Sequence, residues 1–181
     1  MFDVVVTTLA GTTFETEAGN GAILDSTSLQ IPADGPCGML FDQAGAMFGE
    51  TAHLSVNDPT VGALSVGSLV QTPAAEDASR VVELFASLQA VCANELPVQQ
   101  DVDEQTSTVF PEQSPPALGS SASFWFYYAN GGNHPLLTSV TSCEEYVLWI
   151  PQDDMVAGNA DQLSVQWMNA QLEALGCPAA I

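Results

Sequence analysis

Residues 61–92 read VGALSVGSLVQTPAAEDASRVVELFASLQAVC, and this stretch decides the fold class. Val61 to Gln71 is apolar and free of proline, which predicts a strand. Thr72 is then a natural N-cap, with Pro73 at the first helical position. Glu76 and Asp77 fall in the first turn, where they favour the positive end of the helix dipole. Ala78, Val81, Val82, Phe85, Leu88 and Cys92 recur at helical spacing and form one apolar stripe. A strand running directly into an amphipathic helix, in a chain with further strand-like segments, predicts an α+β fold.

Toward the N-terminus, Phe2 to Leu9 (FDVVVTTL) reads as a β-branched strand followed by a Gly-Thr-rich connection. Leu24 to Ile31 leads into the turn cluster Pro32-Ala33-Asp34-Gly35-Pro36, just before Cys37. A short helix is expected within Gly38 to Gly49 and a strand over Thr51 to Val56, with a turn at Asn57-Asp58-Pro59.

Toward the C-terminus, Pro97 to Gly119 is polar and dotted with prolines, with one short strand around Thr106 to Phe110. Ser121 to Ala129 contains Phe124-Trp125-Phe126-Tyr127-Tyr128, five consecutive aromatics. The Asn130-Gly131-Gly132-Asn133 turn signal pairs it in a hairpin with Leu136 to Thr141. Cys143 to Ile150 reads as another strand, linked by a Pro151-Gln152-Asp153-Asp154 turn to a short strand at Met155 to Ala157. The last element is a helix capped by Asn159, with Gln162 three residues on and Leu163, Met168, Leu172 and Leu175 on its apolar face. Gly176 is its expected stop and Cys177 lies just beyond.

Hydrophobic residues make up 46% of the 181, so a sizeable core can form, and the length fits one domain over residues 1–181. Twenty-two Asp and Glu face a single basic residue, Arg80, for a net charge of -21. That surface repels nucleic acid and anionic lipid headgroups, so neither is expected as a direct partner. No run approaches the roughly 18 apolar residues of a membrane span. Cys37, Cys92, Cys143 and Cys177 are widely spaced, with no C-x-x-C pair and only two histidines, which disfavours zinc. An even number of cysteines in so base-poor a chain favours two disulfides and an oxidising compartment. Three pairings are open at this point. An exported protein whose signal or anchor has been removed is expected, extracellular or periplasmic.

Candidate chemistry is sparse. Ser65, in Ala63-Leu64-Ser65-Val66-Gly67, misses the nucleophile-elbow pattern because strand sequence continues beyond it. His53 alternates with Leu54 and reads as a solvent-face strand residue; His134 sits in the turn Asn133-His134-Pro135. Neither has a marked nucleophile or orienting carboxylate. Asp101, Asp103 and Glu104 lack the glycine and distal glutamate of a calcium loop and read as a solvated acidic loop, with Asp153-Asp154 the other place for weak divalent-cation binding. Glu144 and Glu145, read as adjacent strand residues, point to opposite faces and cannot jointly flank a substrate. No catalytic residue, metal or cofactor is expected.

The aromatic run is the feature with functional content. In a strand, Phe124, Phe126 and Tyr128 face one side, and Trp125 and Tyr127 the other. Either both sides are core, or one is the floor of an apolar cleft or association surface. Trp125, Tyr127 and, on a neighbouring strand, Trp149 are the candidate ligand-binding residues.

Three short motifs carry a family likeness: Pro32-Ala33-Asp34-Gly35-Pro36-Cys37, Gln71-Thr72-Pro73-Ala74-Ala75-Glu76-Asp77-Ala78 and Ala90-Val91-Cys92-Ala93-Asn94. With Cys143 opening a late strand and a closing helix, the chain resembles the PknH-like extracellular sensor domains of actinobacterial kinases and lipoproteins. The resemblance implies a surface-exposed antiparallel sheet with a cleft, two disulfides and a receptor-like role. Apart from it, Cys92 and Cys177 each end a helix, and each can tie that end to the region carrying Cys37 or Cys143; Cys37–Cys92 with Cys143–Cys177 is the preferred pairing.

The resulting expectation is an α+β domain, an antiparallel sheet flanked by two or three amphipathic helices and closed by two disulfides. It is not expected to be an enzyme. It would bind a small apolar or neutral ligand, or a cell-envelope component, in an aromatic-lined cleft. The alternative is a structural or virion-surface assembly protein. The sequence leaves ligand identity and oligomeric state open.

Overall fold

A computed structural model describes residues 3–21, 26, 29, 31–60, 62–95, 107–111, 121–129, 133–153 and 160–180. The stretch quoted above forms β5 (Gly62–Gln71) and α2 (Ala75–Glu95). Around it lie β1 (Thr8–Leu9), β2 (Thr12–Thr13), β3 (Glu15–Asn20), α1 (Pro36–Gly45) and β4 (Glu50–Asp58), then β6 (Ser107–Val109), β7 (Ala122–Ala129), β8 (Asn133–Cys143), β9 (Tyr146–Asp153) and α3 (Ala160–Ala174). β1 and β2 make a small hairpin, and the other strands form one antiparallel seven-stranded sheet in the order β3-β4-β5-β9-β8-β7-β6.

The sheet is covered on both faces, each by its own apolar cluster. α2, with α1 beside it, packs over β7, β8 and β9. Ala78, Val81, Phe85, Leu88 and Cys92, the stripe read from the sequence, are buried there against Phe41, Phe110, Phe124 and Phe126. α3 packs on β5 and β9 from the other side, burying Leu54, Leu69, Leu148 and Ile150 under Trp167, Met168 and Leu172. β9 is therefore apolar on both faces, as a central strand requires. Gly67 admits α3 this closely: a β-carbon there would lie 2.4 Å from Trp167 Cζ3.

The two disulfides are Cys37–Cys92 and Cys143–Cys177, the preferred pairing. Cys37–Cys92 links α1 to the end of α2, and both residues are fully buried. Cys177 follows a helix stop at Gly176, whose φ of 82° is left-handed. The Cys177 N–H donates to Leu172 O (2.8 Å) and the Gly176 N–H to Glu173 O (2.9 Å), the paired bonds of a Schellman cap.

Several local expectations are corrected. The long strand expected over Phe2 to Leu9 is not formed: among its described residues only Thr8–Leu9 joins a ladder. Val4 to Val6 instead runs along α3, where Gln171 receives the Val6 N–H (2.8 Å) and donates to Val4 O (2.8 Å), and Trp167 donates to Val6 O (3.0 Å). The supposed connection after it contains β3, a full partner of β4. Thr72 does not cap α2. Its one hydroxyl proton is shared between Ala74 O and Glu145 O, and its N–H also donates to Glu145 O (2.8 Å), tying the helix entry to the β8–β9 turn. The first helical bonds run to Ala74 O. Cys143 closes β8 rather than opening a strand, and Glu144-Glu145 is the two-residue turn, with Glu144 at φ 50°. Pro151 lies within β9 rather than in a turn; its position follows the last β5 partner, Trp149, so no ladder bond to β5 is lost there. His134 belongs to β8, opposite Tyr128. Met155 to Ala157, the Asn130–Gly132 turn and the Asn159 cap lie outside the described residues.

Candidate functional site

The aromatic strand β7 is placed by its register. Phe124 and Phe126 point into the α2 layer, where Phe124 stacks on Phe85 at 5.6 Å. Alternation sends Trp125 and Ser123 to the opposite face. Across β8, Trp125 stands opposite Leu137 and Ser123 opposite Ser139, and the two serine hydroxyls are 2.6 Å apart. Leu137 and Ser139 are buried, whereas Trp125 and Ser123 are partly exposed. On this face α3 covers β5 and β9, and among the described residues no helix packs over the β7–β8 end of the same face, where Trp125 lies.

Trp125 is held from behind. β6 leaves the sheet after Val109, and Phe110 turns into the core, so β7 loses its outer partner there. Gln89 of α2 fills the gap: its Oε1 accepts the Trp125 N–H at 2.8 Å, and its Nε2 donates to Pro111 O. The side-chain amide thus takes the place of a strand's peptide group. Trp125 is therefore a partly exposed residue on a backbone anchored to α2 through Gln89, with a buried leucine and a hydroxyl pair beside it.

Trp149 does not extend this surface. It is 4% exposed, on the α2 face, edge-on to Phe85 (5.0 Å) and Phe124 (5.6 Å). β8 also separates its strand from β7. Tyr127 keeps its register position opposite Pro135, and its side chain lies outside the described residues. The same holds for the acidic loop with Asp101, Asp103 and Glu104, for Asp154, and for the side chains of Asp153 and His134. Ser65 is a strand residue opposite Ser55, as its sequence context predicts.

The sequence reading missed the partner of His53. This histidine is half-buried rather than on a solvent face, and its Nδ1 lies 2.8 Å from Ser68 Oγ. Glu17 stands opposite it on β3, so a carboxylate, an imidazole and a hydroxyl line up across three strands. Burial lowers the His53 pKa below its usual 6.5, and the Glu17 charge opposes that shift. Ser68 is only 1% exposed in mid-strand, which closes its hydroxyl to a substrate, so the pairing serves the sheet. Among the described residues, no three His, Cys, Asp or Glu side chains are grouped to hold a metal ion. A shallow groove of about 470 Å³ runs along α3 between Leu9 and the segment after Gly176, with Gln166, Asn169 and Cys177 on its walls.

No family model matches the sequence, and no curated protein matches it. Among solved structures, the fold is distantly similar to the extracellular domain of PknH from Mycobacterium tuberculosis. The TM-score is 0.48 at 10% sequence identity, over 88% of this chain and 83% of that one.

Proposed function

We propose that residues 1–181 act as one extracytoplasmic sensor or ligand-binding domain with no chemistry of its own, which holds a small apolar or neutral ligand, or a neutral cell-envelope component, against Trp125. The observation that carries this reading is the partly exposed Trp125 indole on a stretch of sheet that no described helix covers. With the partly exposed Ser123 beside it and Leu137 and Ser139 buried next to it, Trp125 offers an apolar ring with a hydroxyl at its side, the make-up of a site for an uncharged amphiphile. Two disulfides that use all four cysteines support an oxidising compartment. A net charge of -21 disfavours anionic ligands.

The tryptophans make the test direct. Trp149 and Trp167 are 4% and 0% exposed, so emission quenched by acrylamide comes from Trp125. Titration with the neutral dye Nile red, and with phosphatidylcholine vesicles, is expected to shift that emission. Trp125→Ala is expected to abolish dye binding without lowering the melting midpoint. Dye binding that persists unchanged in that variant sinks the site. Four free thiols in protein taken from its native source sink the compartment.

A further inference from the structure

β3 is the outermost strand of the sheet beside β4, and Glu15 and Glu17 to Asn20 are exposed. The Gly21 N–H donates to Gly49 O at 3.1 Å, which sets the phase of the β3–β4 ladder. By alternation, Glu15, Glu17 and Gly19 turn their backbone groups toward β4, and Thr16, Ala18 and Asn20 turn theirs outward. The edge therefore presents N–H and C=O groups of three alternate residues, with no other strand against them among the described residues. Glu15 and Glu17 place their side chains on one face, level with Ser55 and His53, and Thr16 and Ala18 place theirs on the other.

We propose that β3 is a docking edge for an extended basic segment of another protein, which adds as a further strand. Its backbone would pair with Thr16, Ala18 and Asn20, and two cationic side chains at i and i+2 would lie beside Glu15 and Glu17. An added strand carries alternate side chains on the same face at the same repeat as β3, so cations two residues apart match the two carboxylates. No part of this chain can supply them. It holds one Lys or Arg in all, Arg80, which sits on α2 in an ion pair with Glu83. A second copy is disfavoured, because it brings a net charge of -21 and further glutamates to the same edge and no cation to match Glu15 and Glu17. The two glutamates thus favour a basic partner over a second copy. This edge lies at the opposite end of the sheet from β7, so the proposal stands or falls independently of the Trp125 site.

The probe is an acetylated, amidated eight-residue peptide of alternating lysine and threonine, with a glutamate-threonine peptide as control. The lysine peptide is expected to slow amide hydrogen exchange at Thr16, Ala18 and Asn20, and the control to leave it unchanged. Ala18→Pro removes an outward N–H while sparing the β4 ladder, as edge strands tolerate. It is expected to weaken the lysine peptide by roughly tenfold or more, and Glu15→Gln with Glu17→Gln to do the same. Binding that is equally tight to Ala18→Pro at an unchanged melting midpoint, or that leaves the three amides unprotected, would reduce the effect to diffuse attraction by the net charge and overturn the proposal. If Ala18→Pro does not fold, the double glutamine variant decides, since both glutamates are exposed: equal affinity there overturns it as well.

Discussion

At the scale of single residues, the described chain repeatedly uses a side-chain amide where a strand would place a peptide group. Gln89 does this for Trp125 and Pro111, and Gln171 for Val4 and Val6; both glutamines are buried. Replacing Gln89 with Leu leaves a donor and an acceptor unpaired beside the core. That is expected to cost about 1–3 kcal/mol for each group, read as a lower midpoint in urea. His53 makes a prediction in pH. Its folded pKa lies below 6.5, so the folded state favours the neutral ring over protonation more than the unfolded state does. The stability this contributes is complete above the unfolded pKa and is lost as pH falls through the folded one. Wild type should therefore lose stability relative to His53→Gln between about pH 7 and pH 5, in paired thermal melts. Parallel melting curves across that range would show that the ring stays uncoupled from folding.

At the scale of elements, the two disulfides do different work. Cys37–Cys92 ties α1 to α2 with both sulfurs inside the core. Cys143–Cys177 ties the end of β8 to the segment after α3, and Cys177 is partly exposed on the wall of the α3 groove. A thiol reductant needs access to a sulfur, so it should open Cys143–Cys177 first. Mass spectrometry after mild reduction and alkylation is expected to find label on Cys143 and Cys177 while Cys37 and Cys92 remain bonded. Simultaneous labelling of all four would show that the core opens as readily as the groove. In the chain-entropy model, a loop of 34 residues contributes about 4 kcal/mol at most, so the singly reduced form should melt earlier yet stay folded.

At the scale of the whole molecule, charge is the distinguishing property. Against a net charge of -21, the one cation of the side chains, Arg80, forms an exposed pair with Glu83 at 3.1 Å. Such a pair adds little, so long-range repulsion among carboxylates has nothing of opposite sign to cancel it. Stability should rise with ionic strength as the screening length shortens from about 30 Å near 0.01 M to about 8 Å near 0.15 M. Melting temperature measured along a sodium chloride series checks this, and a flat or falling series would mean that the carboxylates are already balanced locally. The opposing layers explain why the fold withstands the repulsion: an apolar cluster on each face of the sheet, each with its own disulfide, holds the charge at the surface.

What the sequence determined by itself was the part governed by neighbours along the chain. The α2 stripe from Ala78 to Cys92, the stop at Gly176 and the β7–β8 hairpin all follow from helical spacing, glycine's left-handed freedom and strand alternation. The α+β class was legible for the same reason. The disulfide pairing was only a preference, since Cys92 and Cys177 could each reach the region of Cys37 or Cys143, and packing of α1 on α2 and of α3 on the sheet fixed it. What only the tertiary structure decided was which face and which neighbour each strand acquired. β3, with the sequence ETEAGN, carries no apolar alternation because it is an edge strand with little to bury. Thr72 has the residue type of a cap, but its hydroxyl is shared between Ala74 O and Glu145 O, the latter 73 positions away. The candidate site divides along the same line: alternation placed Trp125 opposite to Phe124, while the strand order set Trp149 in the core and joined Ser68 to His53. Periodicity along a strand gives relative faces; only packing across the sheet says which of them meets a helix and which meets solvent.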